Sequence, residues 1–102
     1  MDRLARLEQM LEKDPTDAFV LYSLGQEHAK AGRHEQAVDA YRRCIQAHPG
    51  EHYAYYHMAR SLEALGRRDE AVQALRAGLE RARSDGQAKA ADELAGLLES
   101  MG

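Results

Sequence analysis

The segment LYSLGQEHAKAGRHEQAV (Leu21 to Val38) is answered thirty-four residues on by YYHMARSLEALGRRDEAV (Tyr55 to Val72). Tyr22, Gly32, Arg33, Ala37 and Val38 return as Tyr56, Gly66, Arg67, Ala71 and Val72, and the only two prolines, Pro15 and Pro49, keep the same interval. A fixed period of this size marks stacked supersecondary units, none of which can bury its apolar face alone. Copies of the unit must therefore pack on one another.

The unit is helical. Leu21, Leu24, Gly25, His28 and Ala31 fall at three-and-four spacing and form one stripe. Gly32 ends that helix, because a residue without Cβ takes the left-handed conformation that follows a C-terminus. A second helix is expected over His34–Ala47, with Ala37, Val38, Tyr41, Cys44 and Ile45 on one face, and Pro49-Gly50 stops it. The cycle restarts at Glu51: Tyr55, Met58, Ala59 and Leu62 form the next stripe, then Ala71, Val72, Leu75, Gly78 and Leu79 the one after. The small residues Gly25, Ala59, Ala37 and Ala71 let paired helices approach to about 8–10 Å.

Both ends fit the same ruler. Leu4, Leu7, Met10, Leu11 and Pro15 lie over Val38, Tyr41, Cys44, Ile45 and Pro49, so the chain begins with the second half of a unit. A final helix over Gln87–Met101 carries Leu94, Leu97, Leu98 and Met101, but Asp92 and Glu93 fall where a large and a small apolar residue are due. It reads as a cap over the last pair. The expected chain is one all-α domain of six helices: a half-repeat at 1–15, repeats at 18–51 and 52–85, and a cap at 86–101.

These residues resemble the tetratricopeptide repeat, a thirty-four-residue helix–turn–helix unit. Leu21, Leu24, Gly25, His28, Gly32, Ala37, Tyr41, Cys44 and Pro49 carry the pattern in the first unit. Tyr55, Met58, Ala59, Leu62, Gly66, Ala71, Leu75 and Gly78 carry it in the second. Three positions depart from it. His28 and Leu62 replace the usual Tyr, and Arg83 stands where the closing Pro belongs, so the last paired helix is expected to run a turn further. The resemblance implies antiparallel pairs stacked as a right-handed solenoid whose first helices line a concave groove for a peptide, a partner helix or a protein surface. Carried over position by position, the groove residues are Phe19, Tyr22, Ser23, Gln26, Lys30, Tyr53, Tyr56, His57, Arg60 and Glu63. They lie off the packing stripe yet include four of the six aromatics, and exposed rings beside an Arg are the composition of binding hot spots. A packing role against the preceding helix end competes for Phe19 and Tyr53. The Lys and Asn clamp with which one subgroup holds a chaperone tail is replaced here by Tyr22, Gln26, Tyr53 and His57.

Other functions find less support. A net charge of -3 argues against general affinity for nucleic acid or anionic membranes. No apolar run approaches the roughly 18–20 residues of a membrane span, the N-terminus lacks the apolar core of a signal peptide, and a lone Cys44 fits a reducing compartment, so a cytoplasmic protein is expected. Cys44, His48, His52 and His57 cluster in sequence without matching a zinc spacing, and diverging surface histidines explain them better than a metal site. HEQAV at His34 lacks the second His of a metalloprotease helix. No phosphate loop or nucleophile elbow occurs, so no catalytic residue and no cofactor is expected. Arg42, Arg43, Arg67, Arg68, Arg76, Arg81 and Arg83 are interleaved with Glu35, Asp39, Glu70 and Glu80, which favours ion pairing along helix faces over an RNA surface. The expected partner is another protein or peptide, with self-association as a homodimer the second reading.

Overall fold

The computed structural model describes residues 2–101; residue 1 of the expected half-repeat lies outside them. Six helices run in order: α1 (Arg3–Lys13), α2 (Ala18–Lys30), α3 (His34–Ala47), α4 (His52–Ala64), α5 (Arg68–Ser84) and α6 (Ala88–Ser100). No strand occurs among the described residues, and none of their helices is long and apolar enough to cross a membrane.

Two kinds of turn alternate, each written in the sequence. After α2 and α4, Gly32 and Gly66 take φ of 78° and 77°. The next amide then reaches back to close the helix, Arg33 N–H to His28 O at 2.8 Å and Arg67 N–H to Leu62 O at 2.9 Å. After α1 and α3 the proline turns close with Asp17 N–H to Asp14 O at 3.2 Å and Glu51 N–H to His48 O at 3.0 Å. At the third junction the type switches. α3 ends at Ala47, thirty-four before Arg81, but with no proline α5 continues to Ser84 and ends on Gly86 at φ 70°. The expected overrun of the last paired helix is observed.

That overrun shifts α6 out of phase. α4 begins at His52 and α6 at Ala88, an offset of 36 rather than 34. At this offset Ala90, Ala91, Leu94, Ala95 and Leu98 overlie Ala54, Tyr55, Met58, Ala59 and Leu62. Ala90, Ala91 and Leu94 are buried as their counterparts are. α6 packs on α5 and along the edge of α4, as α4 packs on α3 and along the edge of α2. It thus stands where the first helix of a further unit would stand, while exposing Lys89, Asp92, Gly96 and Glu99, the polar surface that suits an end helix.

The main core runs through α2 to α6, with Tyr41, Leu21, Leu62, Leu75 and Leu94 fully buried. α1 packs chiefly on α2, through a smaller cluster of Leu7, Val20 and Leu24 that Ala40 of α3 completes, and through an ion pair from Arg3 to Glu27 at 2.6 Å. Met10 is therefore 45% exposed, although its counterpart Cys44 is sealed: no helix among the described residues stands on that side of α1.

Close approach is achieved differently in the two units. In the first, Gly25 leaves room for the Tyr41 ring; in the second, Gly78 leaves room for Tyr55. The Tyr55 hydroxyl donates to Pro49 O at 3.0 Å, tying the second unit to the turn before it. The junction at Asp85 is fixed by charge, its Oδ2 accepting from His52 Nε2 at 2.8 Å and from Arg81 Nε at 3.0 Å. Those two hydrogen bonds hold the Asp85 carboxyl below its ordinary value. The stabilisation from a depressed folded-state value is full above the ordinary carboxylate range and is lost as pH falls from that range through the lower folded-state value. Asp85→Asn should melt a few degrees below the parent at neutral pH, and the gap should close in acid. Thermal melts at several pH values, read by circular dichroism, check this, and a gap that persists in acid contradicts it.

Candidate functional site

α2 and α4 lie side by side, with α6 next to α4, and the residues off their packing stripes share one face. His57 is the hub of that face. Its ring meets Tyr22 edge-on at 5.7 Å, Tyr56 edge-on at 5.3 Å, and stacks on Tyr41 at 6.1 Å and 24°. Edge-to-face contacts of this kind fix ring orientation beyond what burial alone does. Burial first, then the neighbouring Arg60, lowers the His57 pKa, so the imidazole is neutral at pH 7. Burial first, then the Glu51 carboxylate, raises that of Tyr22.

Beside the rings, between the C-terminal halves of α2 and α4, opens a cleft of about 350 Å³. Gln26, Lys30, His57 and Arg60 line it, over a floor made by Tyr41. Two further polar residues line it that the repeat pattern does not single out, His34 and Ser61, held together with His34 Nδ1 3.1 Å from Ser61 Oγ. The pair is not a nucleophile and base in working order. Ser61 is 2% exposed, and the hydrogen bond joins α3 to α4 as a strut. A separate cleft of about 390 Å³ between α1, α2 and α3 is lined by the packing residues Leu21 and Leu24, and holds none of the ten expected groove positions.

The ten positions divide. Tyr22, Gln26, Lys30, Tyr56, His57 and Arg60 come together at the rings and the cleft. Tyr53 lies toward α6, where partial burial, the charge of Glu93 and a hydrogen bond to it raise its pKa. Glu63 is exposed on α4, away from the cleft lining. Phe19 is 63% exposed, so it does not pack against the preceding helix end as one of its two readings held. Ser23 must be corrected: at 5% exposed it belongs to the packed interior of α2, because it sits one residue before the Leu24–Gly25 contact stripe. Sequence phasing missed Glu93, since a thirty-four-residue step places it on Ala59. The 36-residue step places it on His57.

The sequence-adjacent Cys and His residues point apart. Cys44 is sealed, and its thiol is pushed up to about 11 by burial and, less, by Glu51. His48 Nε2 donates to Thr16 O at 2.6 Å, His52 serves Asp85, and His57 sits among the tyrosines. Among the described residues no group of three or more His, Cys, Asp or Glu side chains converges as metal ligands. The arginines are used in part as expected, Arg67 pairing with Glu70 at 2.6 Å and with Glu35 at 3.2 Å.

Comparison with known proteins agrees with this architecture. A tetratricopeptide repeat family model matches residues 28–93, and a second matches residues 1–50. A tetratricopeptide repeat domain protein from Salinibacter ruber, solved by solution NMR, is 32% identical with a TM-score of 0.79, over 86% of this chain and 89% of that one. A Bordetella parapertussis protein is 26% identical with a TM-score of 0.83, covering 99% of this chain and 88% of its own. PcrH, solved in complex with the chaperone binding region of PopD, superimposes with a TM-score of 0.88 at 21% identity, over 96% of this chain and 74% of PcrH, a likeness of fold. No curated protein matches the sequence.

Proposed function

From the premise that this chain belongs to the tetratricopeptide repeat family, a protein-interaction fold, we propose that it is a non-catalytic module holding a peptide or partner helix on the face shared by α2, α4 and α6. The observation that carries this is the ring cluster of Tyr22, Tyr56 and His57 set beside an open cleft edged by Arg60. Rings already oriented by their neighbours lose little entropy on binding, and Tyr and Arg supply most of the energy at hot spots. PcrH, which shares the fold, is seen with a segment of another protein, and that precedent supports the reading without naming a partner here. A cytoplasmic setting suits the lone, buried Cys44.

Self-association through α6, the second reading, has less behind it, because that helix exposes Lys89, Asp92, Gly96 and Glu99. Tyr56→Ala/Arg60→Ala tests the leading reading. Arg60 is exposed and Tyr56 half-buried, so the double variant should keep its helical signal. A partner co-purifying with the parent from its native source should fall by roughly tenfold or more in pull-down, as for loss of two hot-spot side chains. Full retention by the folded variant removes the groove assignment.

A further inference from the structure

We propose that the groove selects a peptide carrying opposite charges about three residues apart, an acidic side chain entering the cleft at Lys30 and Arg60 and a basic one lying over Glu93. This deepens, and rests on, the reading of this face as a peptide groove. At the cleft end both cations are unused: neither the Lys30 nor the Arg60 side chain forms an ion pair or a hydrogen bond among the described residues. Glu63, one turn beyond Arg60, does not pair with it, and no carboxylate lines the cleft. Two free cations over a ring floor accept a carboxylate by charge-assisted hydrogen bonds.

The other end has the opposite sign. Glu51 bears on Tyr22 and Glu93 on Tyr53, in each case raising the phenol's pKa after burial has done so. Glu93 meets Tyr53 by a side-chain hydrogen bond. Along α4, Tyr53 and Arg60 are seven residues apart, about 10 Å at 1.5 Å per helical residue, so the Tyr53–Glu93 contact marks the far end of the span. An extended peptide covers that span in about three residues. The arrangement also excludes a competitor. A nucleic-acid strand bears a negative charge at every step, so one that met Lys30 and Arg60 would meet Glu51 and Glu93 next, on a chain of net charge -3.

The test is an amide-resolved NMR titration of the full chain with blocked nine-residue peptides. Two carry Glu and Lys three positions apart, in either order, around apolar residues. A third replaces Glu by Gln, a fourth replaces Lys by Glu, and a fifth probe is oligouridylate. One mixed peptide should move the amides of Lys30, Arg60 and Glu93 together. The Gln and the two-Glu peptides should bind roughly tenfold or more weakly. Arg60→Gln should abolish the preference for Glu over Gln, and Glu93→Gln the preference for Lys. Equal binding by the two-Glu or the Gln peptide on the same face overturns the charge pattern while leaving a peptide groove. Tighter binding of oligouridylate at the cleft, or no response to either mixed peptide, also overturns it. The native-partner pull-down judges the groove independently of these peptides.

Discussion

Ala71→Glu is expected to unfold the protein. Ala71 has no accessible surface and belongs to the core shared by α4 and α5, where the sequence repeats an alanine at Ala37 for the same reason. A carboxylate there has neither room nor partner. Removing an ion from water costs several kcal/mol even after the protein relaxes, and steric displacement of the helix pair adds to it. A domain of this size has about 5–15 kcal/mol of stability in all. The variant should lose most of its helical circular dichroism at 25 °C, whereas Gln73→Glu, two residues on and exposed, should melt within about 0.5 kcal/mol of the parent. A cooperative melt of Ala71→Glu superimposing on the parent would refute the packing of α5 described above.

The contrast between Ala71 and Gln73 shows why so much of the fold was legible. Glycine at a left-handed turn, alanine at a close crossing and proline after a second helix are residues the backbone demands, so they repeat at the period of the unit. The sequence therefore yields the ends of α3 at His34 and Ala47 and the overrun of α5 beyond its missing proline. It loses the phase at that same overrun. Once α5 runs to Ser84 and the turn becomes a glycine turn, a thirty-four-residue ruler compares Asp92 with Met58 and reports a mismatch. A step of 36 lays Leu94 on Met58 and recovers the pattern, a signal present in the sequence but visible only when the period is allowed to slip.

The site was less legible, for a different reason. Family position suggests which residues leave the packing stripe, and the structure has Tyr22, Tyr56, His57 and Arg60 on one face. It says nothing about side chains that cross between helices. The His34–Ser61 bond spans 27 residues and has no counterpart in the repeat, and Tyr41, a packing residue by pattern, also floors the cleft. Burial has the same limit: Ser23 and Gln26 both look polar and surface-facing in sequence, yet only Gln26 lines the cleft.

Because Tyr41 serves both core and cleft, the contact beneath it gives the second large expectation. A Cβ at Gly25 would stand 2.4 Å from Tyr41 Cε1 and 2.6 Å from Cζ, distances no relaxed carbon pair tolerates. Gly25→Ala forces the ring off its seat, at a cost of about 1–3 kcal/mol, against which alanine's better helix propensity returns at most about 1 kcal/mol. The midpoint of thermal unfolding should fall by about 5–10 °C. The second unit shows what relieves the clash, for thirty-four residues on from Gly25 and Tyr41 it carries Ala59 and Leu75. Tyr41→Leu alone leaves space beside Gly25 and should destabilise as well. Gly25→Ala/Tyr41→Leu copies the second unit's pairing, so the double variant should be more stable than the sum of the two losses predicts, by about 0.5–3 kcal/mol. Denaturant melts of the four proteins measure that coupling. Strict additivity would mean that Gly25 and Tyr41 do not touch. The double variant should also weaken partner capture, because the ring that stacks beneath His57 is gone while the helices remain.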